Sequence, residues 1–149
     1  RNGIHALGGG IGQGMPMGVG AALGADGRKV VSLCGDGGLM LNIGELTTAV
    51  QEQADVTLLV MNDQGYGVIR NIQDARFGGR HYFTDLRLPD FATLAKSLDM
   101  PYWRVTAVSE FGEKFRKALS VKGPALVEVE MQAIGPFKVP FAGPPVKTE

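Results

Sequence analysis

Four short apolar runs, each followed by a polar or glycine-containing turn, constrain the fold of this 149-residue chain most strongly. Runs that are apolar almost throughout are typical of strands buried on both faces, as in a parallel sheet. The segments between them have helical spacing, which predicts an α/β fold with a doubly wound, mainly parallel sheet flanked by helices. The predicted strands are 30–34, 56–61, 102–105 and 125–130, and the predicted helices are 16–23, 41–53, 91–98 and 111–119, with Asp90 and Ser109 as N-caps of the last two.

Two segments fall outside this alternation. Residues 74–89 are charged and contain Gly78 and Gly79, which predicts a long surface loop, either a lid over a site or a disordered connection. Residues 135–149 contain four prolines and are interpreted as an extended C-terminal arm that follows a single domain of residues 1–134. The first residue is not methionine, so we expect a fragment of a longer protein.

Charge and composition exclude several classes of partner. Fifteen basic residues balance fifteen acidic ones, so nothing indicates binding to nucleic acid. No apolar stretch approaches the roughly 18 to 20 residues of a membrane span. Cys34 is the single cysteine, which rules out an intrachain disulfide and favours a reducing, cytoplasmic location.

The common motifs of α/β enzymes are missing from this sequence. There is no G-x-G-x-x-G, no Gly-Lys dipeptide and no G-x-S-x-G, which argues against a dinucleotide fingerprint, a P-loop and a serine hydrolase elbow. Cys34, His5 and His81 are too few and too far apart for a zinc site made of cysteine and histidine alone.

Glycine is concentrated at the front of the chain. The sequence has 22 glycines, about twice the average usage, and 14 of them lie in the first 44 residues. No glycine recurs at every third position, so collagen is excluded. We interpret the excess as backbone that must approach a ligand, with Gly18 and Gly20 thinning a helix against the sheet.

Two of the predicted strands end in acidic turns. Asp36 lies in the turn 35–38 and Asp63 in the turn 62–65, 27 residues later. The carboxyl ends of parallel strands meet at one edge of a sheet, so both carboxylates can reach one ion if the strands are neighbours. Magnesium takes oxygen ligands, including the phosphate oxygens of a substrate. Glycine N–H groups at a helix start bind an anion by donating hydrogen bonds to it. The pattern therefore predicts a metal-bridged diphosphate site, unless both turns are ordinary and the aspartates merely cap helices.

These residues also resemble a known family. Gly35-Asp36-Gly37, followed after about 25 residues by Asn62-Asp63, resembles the thiamine diphosphate-binding motif. The segment 8–16 is similar to that family's glycine-rich segment, and GDGGLMLNIGEL at 35–46 is similar to acetolactate synthases. NDQGYGVIR at 62–70 is similar to benzoylformate decarboxylase. The resemblance runs from about residue 8 to 136 and covers the C-terminal, diphosphate-binding domain of these enzymes.

The resemblance implies a set of ligands. Asp36, Asp63 and the carbonyl of Gly65 would bind Mg²⁺, with Asp63 standing where the family usually has asparagine. The carbonyl of Gly9 would meet the pyrimidine, and Ile11 would be the wedge under the bend of the cofactor, unless it is a plain core residue. The remaining implied contacts to the diphosphate come from Gly35, Gly37, Gly38, Tyr66 and Gly67.

The implied activity is that of a thiamine diphosphate- and Mg-dependent enzyme acting on 2-oxo acids. An acetolactate synthase-like carboligase is the first interpretation and a benzoylformate-type decarboxylase the second, with a non-catalytic nucleotide- or flavin-binding module as an alternative of another class. We expect no catalytic residue on this chain, because the activating glutamate comes from an N-terminal, pyrimidine-binding domain, usually of a second subunit. The complete enzyme would be a homodimer or tetramer, with FAD possible.

Other polar side chains receive weaker interpretations. Arg70, Arg76 and Arg80 could meet a substrate carboxylate, although loop arginines are mostly solvated. Glu45 is expected to face solvent, and Trp103 to lie in the core.

Overall fold

The computed structural model of this protein describes residues 3–6 and 8–135. All four predicted strands are present, and the predicted arm from residue 136 onward lies outside the described residues. The strands are β1 (Val30–Gly35), β2 (Val56–Asn62), β3 (Tyr102–Val105) and β4 (Ala125–Glu130). The helices are α1 (Gly14–Leu23), α2 (Asp36–Leu41), α3 (Glu45–Gln51), α4 (Gly67–Phe77), α5 (Phe91–Ser97), α6 (Val108–Ser120) and α7 (Met131–Ile134).

The four strands form one parallel sheet in the order β1-β2-β4-β3. β1 and β2 are direct neighbours in a register that pairs Val30 with Val56 and Gly35 with Met61. The predicted α/β fold with a parallel, helix-flanked sheet is therefore confirmed. The register brings the turn that follows β1 and the turn that follows β2 to the same edge of the sheet.

Alternate residues of the strands supply two apolar layers, as the pleat requires. Leu58 and Leu126 belong to a core that includes residues of α1, α3 and α5. Val127 and Val129 belong to a second core that includes Phe111 of α6 together with residues of α7. Trp103 is half-buried and packs against this second core, as predicted.

Close packing of α1 on β1 explains two of the glycines in this helix. A Cβ at Gly18 would lie 2.7 Å from Ser32 Cβ, and a Cβ at Gly14 would lie 2.9 Å from Cys34 Cβ. The Ser32 hydroxyl also donates to the Gly14 carbonyl at 2.7 Å. The prediction for Gly20 is wrong, since a Cβ there would meet nothing within 4 Å. Gly14 and Gly18 face the sheet together because residues four apart share one helix face.

The predicted helix 41–53 is shorter, since α3 covers Glu45–Gln51, and a further helix, α2, occupies Asp36–Leu41, where we predicted a turn at 35–38; residues 42–44 separate the two helices. α2 starts at Asp36, directly after β1, and ends before Asn42. The Asn42 side chain donates from Nδ2 to the Gly12 carbonyl at 2.8 Å. Asparagine and glycine are poor residues for a helix interior, and here Asn42 holds a distant loop instead.

Two further helices, α4 and α6, differ from the prediction. α4 occupies residues that we assigned in part to the loop 74–89, and it ends at Gly78, which has the left-handed φ of 62° typical of a helix terminus. The prediction missed this helix: none of its residues is fully buried, and Val68, Ile69 and Phe77 are each about half exposed.

α6 begins at Val108 after Ala107, with no side-chain cap from Ser109. The Glu110 carboxylate accepts from the Thr106 N–H at 3.2 Å instead. Asp90 caps α5 as predicted, accepting from the Thr93 N–H at 2.7 Å. Within residues 3–6 and 8–135, no helix has both the length and the apolar character needed to cross a membrane.

Candidate cofactor- and metal-binding site

The site is built around Asp36, the first residue of α2. Its side chain is 1% exposed, and both carboxylate oxygens accept backbone hydrogen bonds. Oδ1 accepts from the Gly37 N–H at 2.7 Å, and Oδ2 accepts from the Gly65 N–H at 3.1 Å. The second bond crosses from the end of β1 to the turn after β2. The two acidic turns predicted from the sequence therefore meet at one place.

Burial gives Asp36 an unusual electrostatic position. Desolvation raises the pKa of its carboxyl above the ordinary 3.8, the nearby charge of Asp63 raises it further, and the hydrogen bonds from Gly37 and Gly65 oppose both. A cation between the two carboxylates would remove the like-charge repulsion and favour the ionised form. The same burial raises the pKa of the neighbouring Cys34 thiol to about 11, with a smaller contribution from Asp36.

Asp63 is half-buried and lies against the first residue of α4. A Cβ at Gly67 would come within 1.8 Å of Asp63 Oδ2, so only glycine allows this approach. A carboxylate is favourable at a helix N-terminus because the exposed N–H groups carry partial positive charge.

The turn between Asn62 and Gly65 has a defined internal structure. The Asn62 Oδ1 accepts from the Gln64 N–H at 3.1 Å, and Gln64 has a left-handed φ of 58°. The Asn62 Nδ2 donates in the other direction, to Glu128 Oε1 at 2.6 Å. Sequence analysis missed Glu128; its one signal is an acidic residue inside an otherwise apolar strand.

Two of the backbone N–H groups predicted to bind the diphosphate already donate to acceptors within the protein. The Gly37 N–H donates to Asp36, and the Tyr66 N–H donates to the Thr84 carbonyl at 2.8 Å. Gly37 is glycine for a packing reason, because a Cβ there would lie 2.6 Å from Tyr66 Cε1. Gly38 meets no such obstacle, since the nearest atom to a Cβ there is the Gly12 nitrogen at 3.7 Å. Gly35 ends β1, and the nearest atom to a Cβ there would be the Met61 carbonyl oxygen at 4.0 Å.

The glycine-rich segment before α1 lies beside these turns. Gly8, Gly9 and Gly12 have left-handed φ values of 72°, 70° and 93°. The Asn42 hydrogen bond to the Gly12 carbonyl holds the segment against the break that follows α2. Ile11 is 57% exposed, so the alternative of a plain core residue is wrong.

Of the candidate arginines, Arg70 lies beside the turn 62–65, whereas Arg76 and Arg80 lie at the far end of α4 and just beyond it. Arg70 pairs with Asp85 at 2.9 Å, and its guanidinium passes over Gly65, where a Cβ would be 2.4 Å from Nη2. Arg80 donates to the Phe77 carbonyl at 3.1 Å, and Arg76 is exposed on α4. Glu45 starts α3 and is half-buried rather than fully solvent-facing.

The chemistry of the donors fits magnesium and a diphosphate. Among the described residues, no three histidine, cysteine or acidic side chains gather as a complete metal cluster. A site with two carboxylates suits Mg²⁺, which takes one or two carboxylates and completes its shell with phosphate oxygens and water. The Gly65 carbonyl belongs to the same turn. Asp36, Asp63 and Gly65 are thus the residues that could hold the ion.

Comparison with known proteins identifies the family of this chain and its cofactor. Residues 3–129 match the family model described as thiamine pyrophosphate enzyme, C-terminal TPP binding domain; thiamine pyrophosphate is thiamine diphosphate. The chain is 30% identical over 133 residues to the mitochondrial acetolactate synthase catalytic subunit of Saccharomyces cerevisiae, covering 89% of this chain and 19% of that protein. It is 35% identical over 124 residues to the acetolactate synthase large subunit of Haemophilus influenzae, covering 82% and 22%.

A solved structure agrees with these relatives. The thiamine diphosphate-dependent 4-hydroxybenzoylformate decarboxylase of Rhodococcus jostii RHA1 superimposes with a TM-score of 0.73 at 31% identity, covering 80% of this chain and 23% of that one. The chain thus spans about a fifth to a quarter of the length of the proteins it matches. The matches select thiamine diphosphate over the flavin or nucleotide of the alternative module. This chain belongs to the family of C-terminal thiamine pyrophosphate-binding domains of thiamine pyrophosphate enzymes.

Proposed function

We propose that this chain binds the diphosphate of thiamine diphosphate through a Mg²⁺ ion held by Asp36, Asp63 and the Gly65 carbonyl. The observation that supports this most is the Gly65 N–H bond to Asp36 Oδ2, which brings the two acidic turns together. Gly38 and Gly67 are the proposed backbone contacts to the diphosphate, whereas Gly35 and Gly37 shape the turn. The Gly37 and Tyr66 N–H groups already have partners inside the protein.

The glycine-rich segment would hold the other end of the cofactor. We assign the Gly9 carbonyl to the pyrimidine and the Ile11 side chain to the wedge beneath the bend. An apolar side chain that is 57% exposed beside two polar turns is consistent with a surface that a ligand covers. Such positioning lowers barriers by fixing the reacting groups in a productive arrangement.

The bound cofactor would supply the electron sink for decarboxylation of a 2-oxo acid, and this chain would supply position and charge. We assign no proton transfer to a residue of this chain. The glutamate that activates the pyrimidine would belong to another domain, usually of a second subunit, in a homodimer or tetramer. We also propose a cytoplasmic location and leave FAD as a property of the complete enzyme alone.

An acetolactate synthase-like carboligase is the reaction we propose first. The acetolactate synthases of S. cerevisiae and H. influenzae support it, as does the sequence at 35–46. A benzoylformate-type decarboxylase is the second candidate, favoured by the R. jostii structure and by the sequence at 62–70. Product analysis with the complete enzyme separates them: acetolactate from pyruvate supports the first, and benzaldehyde from benzoylformate supports the second.

Calorimetric titration of the chain with thiamine diphosphate, with and without Mg²⁺, tests the binding function. We expect Mg²⁺-dependent binding that the Asp36→Asn variant loses. Asp99→Asn is the matched control, because Asp99 is exposed and its left-handed φ of 51° suits asparagine. Equal binding by Asp36→Asn and the unaltered chain would rule out the metal assignment.

A further inference from the structure

Glu128 is a fully buried acidic residue in a central strand of the sheet. It is 0% exposed and lies in β4, between β2 and β3. Three side chains donate to it: Asn62 Nδ2 at 2.6 Å, the Tyr102 hydroxyl, and Arg104 Nε at 3.3 Å. Asn62, Tyr102 and Arg104 come from strands on both sides of β4. Glu128 therefore joins three strands near the carboxyl edge, where the candidate site lies.

The chemistry of these neighbours fixes the state of Glu128. The amide NH₂ and the guanidinium can only donate, and the Tyr102 hydroxyl uses its proton here. Burial and the Glu128 hydrogen bond raise the pKa of that hydroxyl, which keeps it protonated. Glu128 thus acts as an acceptor, that is, as a carboxylate. A buried carboxylate is costly unless it is paired and hydrogen-bonded, and Arg104 supplies the compensating charge.

The bond to Glu128 determines which way the Asn62 amide points. With Nδ2 directed to Glu128, Oδ1 is directed to the Gln64 N–H at 3.1 Å. A rotated amide would present NH₂ to the Gln64 N–H, which would then keep only its interaction with the Asp36 carboxylate. The turn fixed in this way also contains Asp63, and its last residue, Gly65, donates to Asp36.

Packing alone does not impose this orientation. A cavity of about 470 Å³ borders the pair and is lined by Asn62, Gln64, Arg104, Glu128 and residues 86–91. Asn62 is only 7% exposed, but the O and NH₂ ends of its amide are nearly equal in shape, so hydrogen bonding rather than packing decides which end faces Glu128. Loss of the bond would release the turn without disturbing the core below it.

We propose that Glu128 is a positioning residue for the metal-binding turn: through Asn62 it holds Asp63 and Gly65 in the arrangement that meets Asp36. This inference rests on the proposed function for its effect on metal binding, whereas its effect on the turn stands independently. Residues that orient metal ligands from one shell away typically change metal affinity 10- to 100-fold when replaced.

The test combines cofactor binding with amide hydrogen exchange in the cofactor-free chain. Glu128→Gln keeps the shape but places an NH₂ against one of the three donors. We expect Mg²⁺-dependent thiamine diphosphate affinity to fall 10- to 100-fold and the Gln64 and Gly65 amides to exchange at least about tenfold faster. Exchange at Leu58, in the buried centre of β2, should not change and reports that the fold is intact.

A double variant, the reversed pair, exchanges the amide and the carboxylate between positions 62 and 128. It keeps the test valid if the single variant fails to fold. In Asn62→Asp with Glu128→Gln, the new amide can donate to the new carboxylate, so we expect protection at Gln64 to return. Asn62→Asp alone places two carboxylates next to each other, so the Gln64 amide should lose its protection from exchange. Glu113→Gln is the matched control, because Glu113 is exposed and pairs only locally, with Lys117 at 2.7 Å.

Two results would overturn the proposal. One is unchanged affinity and unchanged exchange at Gly65 in Glu128→Gln; the other is no recovery at Gln64 in the reversed pair while Leu58 stays protected. Failure of the unaltered chain to bind thiamine diphosphate with Mg²⁺ would instead count against the proposed function. In that case the exchange measurements still decide whether Glu128 holds the turn.

Discussion

The Gly65 N–H donates to Asp36 Oδ2 over 3.1 Å and so connects two turns that are 29 residues apart in the sequence. The bond exists because β1 and β2 are parallel neighbours, whose carboxyl ends lie side by side. It also places the Asp63 charge close enough to affect the pKa of Asp36. A site for a hard cation and its diphosphate follows from that juxtaposition.

Asp36 should give both stability and cofactor binding a specific pH dependence. Its pKa is raised above 3.8, first by desolvation, so the folded state binds the proton more tightly than the unfolded state. Its contribution to stability is therefore complete below pH 3.8 and is lost as the pH rises through the folded pKa. Urea unfolding from pH 3 to 8 should show a flatter profile across this window in Asp36→Asn.

Metal binding should depend on pH in the direction opposite to stability, since Mg²⁺ needs the ionised carboxylate. Mg²⁺-dependent affinity for thiamine diphosphate should rise through the window in which stability falls. A parallel loss of stability and affinity with rising pH would contradict this assignment. Asp99→Asn should leave both profiles unchanged.

Replacing Asp63 by asparagine should preserve the site. Asparagine keeps an oxygen ligand, and removal of the like charge lowers the pKa of Asp36. We expect Mg²⁺-dependent affinity within about tenfold of the unaltered chain, with its pH midpoint moved downward. Calorimetry across a pH series measures both quantities, and complete loss of binding would show that the charge of Asp63 is essential.

Gly37→Ala should destabilise the chain and disturb the site. Its Cβ would lie 2.6 Å from Tyr66 Cε1 and 3.0 Å from Leu86 Cδ1, so the ring must move. Overpacking of this kind costs about 1–3 kcal/mol. Gly44→Ala is the control, because its Cβ meets nothing within 4 Å and its φ of −58° suits alanine. Equal urea midpoints for the two variants would refute the packing argument.

Two glycines of α1 should respond oppositely to alanine. Gly18→Ala would place Cβ 2.7 Å from Ser32 Cβ and should lower the free energy of unfolding by about 1–3 kcal/mol. Gly20→Ala meets open space and should raise it by about 0.5–1 kcal/mol, as expected inside a helix. Thermal unfolding measures both, and Ser32→Gly should partly restore the Gly18→Ala variant. Equal effects at both positions would contradict the observed packing of α1.

The strands and the parallel sheet could be predicted because buried strands leave a local signal. Each is a short apolar run, and the segments between runs are long enough for the helical crossovers that parallel strands need. α4 was not predicted: none of its residues is buried, and its apolar side chains Val68, Ile69 and Phe77 are each about half exposed. The break between α2 and α3 at Asn42 could not be predicted either, because Asn42 forms a hydrogen bond to Gly12, which is 30 residues away.

The sequence by itself determined the α/β fold, the two acidic turns and their 27-residue spacing, and through its motifs the thiamine diphosphate family. Only the tertiary structure decided that Gly65 donates to Asp36 and that Ile11 is exposed. It alone revealed that Glu128 holds the Asn62 amide. Spacing reports which residues follow each strand, but contacts between strands depend on sheet order and register, which no local pattern encodes.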